Sequence, residues 1–148
     1  MLRVTLISCG RLKERYLRDA VSEYKKRLSG YIYLTEKELD DGPDIKSEAA
    51  RIIKAIPEGA CIMTLEIEGR EYTSEGFAEA IDGLMTGGVS HICFIIGGSE
   101  GLDKEIKDMA KMHVSFSRMT FPHQLMRVIF LEQLYRAFKI MKGEPYHK

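Results

Sequence analysis

The chain predicts an α/β fold, a mostly parallel sheet with helices on both faces, in a single domain over residues 1–148. Three observations carry this expectation. Short β-branched runs alternate with segments of helical periodicity, the pattern of βαβ units. Glycine or proline stands at nearly every junction between them. A chain of 148 residues with 45% apolar content suits one soluble core.

The elements follow in order. Arg3 to Ser8 is a strand ended by Gly10. Glu14 to Leu28 places Tyr16, Leu17, Ala20, Val21, Tyr24 and Leu28 at helical spacing, with Gly30 as the stop. Tyr31 to Leu39 is a second strand, and Asp40-Asp41-Gly42-Pro43 a turn. Ile45 to Ile56 is a helix capped by Asp44 and ended by Pro57. Cys61 to Ile67 is the third strand, after which Glu68-Gly69-Arg70 turns the chain. Ser74 to Met85 is a helix with a Thr73/Ser74 cap and a Gly87-Gly88 stop. His91 to Ile96 is the fourth strand, Asp103 to Met112 a helix, and Val114 to Ser117 the fifth strand. The last helix runs from about Pro122 to Met141.

The totals exclude several classes. No apolar run approaches the roughly 20 residues of a membrane span, and the N-terminus enters a strand pattern without a secretory signal. Cys9, Cys61 and Cys93 are too scattered for a disulfide framework or a zinc site. Buried reduced thiols in a cytoplasmic protein are the expectation. The net charge is zero, yet residues 104–148 hold nine Lys/Arg against four Asp/Glu. A neutral chain binds bare nucleic acid poorly, so an RNA substrate must be recognised by its shape or by a local patch.

Chemistry concentrates after the fourth strand. Gly97-Gly98-Ser99-Glu100-Gly101 lets backbone approach a ligand closely. Its spacing fits neither a dinucleotide fingerprint nor a phosphate loop. Turned at 100° per residue, the last helix sets Glu132, Arg136 and Lys139 on one side. Arg127 lies opposite, among Phe130, Leu131, Leu134 and Phe138, with His123 a turn earlier. A helix this apolar all round is buried on two sides, and a second subunit is the expected second surface. A guanidinium on an apolar face requires an anion or several carbonyls. The closing Tyr146-His147-Lys148 offers an aromatic, an imidazole and an ammonium in succession. On chemistry alone, a frayed terminus is the stronger reading of that tail.

The segments Ile95-Ile96-Gly97-Gly98-Ser99-Glu100-Gly101, Ser115-Phe116-Ser117-Arg118-Met119-Thr120-Phe121-Pro122-His123 and Tyr135-Arg136-Ala137-Phe138-Lys139-Ile140 carry a resemblance. So do Thr64-Leu65-Glu66-Ile67-Glu68-Gly69 and Pro145-Tyr146-His147-Lys148. Together they resemble the small bacterial SPOUT methyltransferases, the ribosomal RNA large subunit methyltransferase H group, which modify a pseudouridine at N3. One departure is that the connection from Leu39 to Lys46 looks shorter than in that family. The resemblance implies a trefoil-knotted domain, an obligate homodimer, S-adenosylmethionine as methyl donor, no metal, and ribosomal RNA or the assembled ribosome as partner. It places donor contacts on Leu65, Gly97, Phe116, Ser117, Arg118, Met119, Thr120 and Phe121. On this reading His147, Arg136 and Tyr146 are the candidate catalytic residues, and the tail of one subunit covers the donor of the other. His123, Arg127 and Lys148 would shape the substrate pocket. An imidazole of ordinary pKa near ~6.5 suits a base that removes the N3 proton. Two alternatives stand beside this one, a related methyltransferase acting on another RNA and a ribosome-binding module without catalysis.

Overall fold

The computed structural model describes residues 1–148. Five strands, β1 (Leu2–Cys9), β2 (Ile32–Leu39), β3 (Cys61–Glu71), β4 (His91–Ile96) and β5 (Met112–Ser115), form one sheet. Its order is β2-β1-β4-β3-β5 and every neighbouring pair is parallel. The connecting helices are α1 (Arg15–Leu28), α2 (Ile45–Ala55), α3 (Ser74–Thr86), α4 (Lys104–Met109) and α5 (His123–Met141).

Alternating side chains along the strands build a core on each face. On one face Val4, Leu6, Ile92 and Phe94 pack with Val21 of α1, Phe77 and Ile81 of α3, and Phe130, Leu134 and Phe138 of α5. On the other, Ile7, Cys9, Cys93 and Ile95 pack with Ala49 and Ile52 of α2 and Ile106 of α4. Helices therefore cover both faces, as the strand–helix alternation requires. Asp44 caps α2 by accepting from the Ser47 N–H at 2.7 Å, and Thr73 caps α3 by accepting from Gly76 N–H at 2.9 Å.

Two expectations at the sheet's far edge are corrected. Glu68-Gly69-Arg70 does not turn the chain. Leu65 and Arg70 both pair with Val114, so Glu66–Gly69 bulge out and β3 resumes to Glu71. Gly69 permits this return, because a Cβ there would lie 2.9 Å from the His113 carbonyl and the Val114 backbone. The helix expected over Asp103–Met112 ends at Met109. Strand pairing overrides helical periodicity here, because Lys111 N–H donates to the Ile62 carbonyl at 2.9 Å and Met112 pairs with Met63. β5 correspondingly begins two residues early and stops at Ser115, leaving Phe116 and Ser117 to the following loop.

The last helix lies between α1 and α3, at the middle of its layer. Its buried residues are Arg127, Phe130, Leu131, Leu134, Ala137 and Phe138, all on the side that the sequence assigns to Arg127. These residues find their cover within one chain. The opposite side keeps Val128, Ile129 and Ile140 half-buried and Leu125 exposed.

Candidate active site

The carboxyl ends of three adjacent strands, β4, β3 and β5, open into one cavity of about 740 Å³. β3 supplies Leu65 and, from its bulge, Glu66, Ile67 and Glu68, and the loop after β4 supplies Gly97 to Gly101. The loop after β5 supplies Phe116, Ser117 and Met119 to Phe121, and the start of α5 adds His123 and Met126. Crevices at strand carboxyl ends are where open α/β sheets hold ligands.

Local chemistry fixes each wall. A Cβ on Gly97 would stand 2.5 Å from the Gly101 carbonyl oxygen, so the loop after β4 doubles back as only glycine allows. Phe116 is anchored against Phe77 and Phe130, at ring-centroid distances of 5.7 and 6.2 Å. The Ser117 hydroxyl accepts from Met119 N–H at 2.9 Å and shapes the next turn. On the bulge, Glu66 joins Thr64 and His113 through its carboxylate, with Thr64 donating at 2.5 Å. Lys107 meets Glu68 at 2.7 Å and holds that carboxyl below its ordinary value.

Of the eight residues expected to contact the donor, seven line the cavity. Arg118 does not. Its guanidinium points outward to Glu71 at 3.1 Å and is almost fully exposed. Arg127 is 3% exposed and lies outside the cavity wall. It donates to Glu38 at 2.6 Å and to the Gly10 carbonyl at 2.9 Å, the anion and carbonyl that its burial demands. Burial would raise Glu38, but Arg127 and the Leu12 N–H outweigh that and keep its pKa below the usual carboxylate value.

The tail is not frayed in this structure; it folds back on α5. Glu132 is its hub, accepting from Arg136 at 2.8 and 3.2 Å and from the Tyr146 hydroxyl at 2.8 Å. Arg136 lies 4.7 Å from the Tyr146 ring centroid and 3.2 Å from His147 Nδ1, while His147 Nε2 pairs with Glu75. Burial, with the bond to Glu132, pushes the Tyr146 phenol up to about 12. Lys148 is exposed. Arg136, Tyr146 and His147 are thus brought together, and none of them lines the cavity of the same chain. From Met126 at the cavity to Arg136 is ten helical residues, or about 15 Å of rise.

Sequence reading missed Glu132 and Glu75 as holders of the tail, and the Thr64–Glu66–His113 cluster. The four-residue spacing of Glu132 and Arg136 was a usable signal. Glu75 and His113 gave none, since each meets its partner only through the tertiary fold.

Known proteins agree with this architecture. A protein from Bifidobacterium adolescentis named ribosomal RNA large subunit methyltransferase H is 51% identical, covering 99% of this chain and all of that protein. One of the same name from Acetivibrio thermocellus is 45% identical with the same coverage. Both alignments run over 159 residues against a chain of 148, so the relatives carry residues that this chain lacks. A methylase family protein structure from Haemophilus influenzae Rd KW20 shares the fold, with a TM-score of 0.58 at 14% identity over 99% of this chain and 70% of that one. The family model described as "Predicted SPOUT methyltransferase" matches residues 2–147, and with it the chain belongs to the SPOUT methyltransferases.

Proposed function

We propose that this enzyme transfers a methyl group from S-adenosylmethionine to N3 of a pseudouridine in large-subunit ribosomal RNA, as a cytoplasmic homodimer on the assembled ribosome. The observation that carries the reading is the cavity at the ends of β4, β3 and β5, lined by the backbone and apolar side chains that the family resemblance assigned to the donor. Its volume suits a nucleoside, and the glycine-narrowed loop offers backbone groups to an adenine edge. On the wall Glu66, Glu68 and Glu100 outnumber Lys107, which suits a cationic ligand. No helix is long and apolar enough to cross a membrane.

When bound, the donor supplies a sulfonium methyl already activated for transfer. The chain then has to position N3 in line and accept its proton while the N–C bond forms and the S–C bond breaks. Alignment alone contributes several kcal/mol, with an upper range of ~7–11. His147 is assigned the proton, Tyr146 the face of the base, and Arg136 the pyrimidine oxygens or a phosphate. His123 forms part of the floor, and Arg127 braces it from beneath through Glu38 and Gly10.

Within one chain the tail cluster and the cavity are apart, so a site composed of both needs two chains. The half-exposed stripe of Leu125, Ile129 and Ile140 on α5 supports such a pairing.

Single-turnover methylation of ribosomal subunits by a chain truncated after Glu144 tests the reading. Loss of transfer with dimer and donor binding retained is expected, whereas full-rate transfer would refute the composite site. Mixing truncated chains with a Gly97→Ala variant should restore activity, because one intact site reforms per mixed dimer. Mass mapping of the methylated nucleoside identifies the target position.

A further inference from the structure

We propose that the β1–α1 loop and the first turn of α1 form a second RNA-binding surface, which grips the ribose-phosphate strand flanking the target nucleotide. This rests on the RNA-methylation reading above. Arg11, Lys13, Arg15 and Arg18 are all exposed, and Glu14 is the one acid among residues 11–18. Tyr16 stands among them 70% exposed, free of aromatic partners in the fold. Cations for phosphates beside a free aromatic face for a base are what single-stranded RNA requires of a protein surface.

Position connects the patch to the chemistry. His123 Nε2, on the cavity wall, lies 3.1 Å from the point that a Cβ on Gly10 would occupy. Lys13 N–H donates to the Gln124 side-chain oxygen at 3.5 Å, so the loop rests on the start of α5. A strand delivering a nucleotide to the cavity from this side must cross it. The surface is also held in shape. Arg18 donates to the Lys13 carbonyl at 2.6 Å, and Arg11 to Asp40 at 2.8 Å. Helix stability accounts for little of this charge: only Arg15 meets an acid on its own helix, Asp19 at 3.8 Å, and that pair is largely in water. The first turn of α1 contains no acid, and Glu14 makes no side-chain cap bond, so positive charge there opposes the peptide dipole.

Lys13, Arg15 and Tyr16 are the residues to change, because their side chains do not hold the loop together. In K13A/R15A the KM for large ribosomal subunits should rise about tenfold, while kcat and donor affinity by calorimetry stay unchanged. The slope of log affinity against log salt for protein-free large-subunit RNA should become shallower by roughly one to two. Tyr16→Ala should weaken binding about fivefold or more, and Tyr16→Phe should restore it. Unchanged KM and salt slope in K13A/R15A would overturn the proposal and leave the methylation reading intact. Weaker binding to whole subunits but not to protein-free RNA would assign the patch to a ribosomal protein, and also overturn it. If the unaltered enzyme transferred no methyl, that reading would fall while the RNA-binding slopes still decided the patch.

Discussion

Arg127 and Glu38 form an ion pair whose partners are not equivalent. The guanidinium is buried, whereas the Glu38 side chain keeps 30% of its surface in water. Removing Glu38 therefore strands a buried charge, and Glu38→Ala should cost about 3–5 kcal/mol. Arg127→Met leaves a carboxylate that reaches solvent, and should cost clearly less in the same urea titration. Because folding lowers the Glu38 pKa, its stabilising contribution is complete above the ordinary carboxylate range. It is lost as pH falls through the lower folded value. A Glu38→Gln chain should lack that acid-side loss when stability is followed across the range. At the hub of the tail, Glu132→Gln removes the ion pair with Arg136 and leaves one accepting oxygen where there were two. Single-turnover methyl transfer should drop roughly ten- to hundredfold, with donor affinity unchanged by calorimetry.

Among the elements, the two glycine-dependent bends are the points of least tolerance. Gly97→Ala forces a backbone shift against Gly101 and should weaken donor binding more than tenfold, at a stability cost of about 1–3 kcal/mol. Gly69→Ala pushes on the β5 backbone and should loosen that edge strand, read as faster amide exchange at His113 and Val114. Strand and helix order was legible because β-branched runs and 3.6-residue periodicity are local properties. His91–Ile96 and Ile45–Ala55 needed almost no adjustment for that reason. The β3 bulge was not legible, since Glu68-Gly69-Arg70 looks like a turn until the neighbouring strand is known. Of the cavity's loops, residues 97–101 were legible from their glycines, whereas Leu65 and residues 116–121 came from a resemblance, and the structure shows why periodicity could not supply them. The cavity's walls belong to three separate strand ends, joined only by the sheet order. His113 and Glu66 meet for the same reason, through the register that sets Thr64 opposite His113.

For the molecule as a whole, zero net charge conceals more than it reveals. Most cations after residue 103 are engaged within the fold: Lys104, Arg136 and Lys139 pair with acids of the same segment, and Lys107, Arg118 and Arg127 with acids from earlier in the chain. Counting charge over long segments pointed to that region, and it overlooked the short cluster around Tyr16, which the acids of residues 1–103 average away. The two cores also explain the thiols. Cys9 and Cys93 sit inside the smaller core, and burial pushes both up to about 12, so alkylating reagents should find Cys61 first.

The span of α5 between cavity and tail has a kinetic corollary. The proposed site, met only in trans, makes the enzyme obey mass action in its own concentration. On dilution below the self-association constant, turnover per litre should decline with the square of the polypeptide present. An initial-rate series over decades of enzyme dilution would display that exponent, and an exponent of one down to full dissociation would mean that each chain works alone.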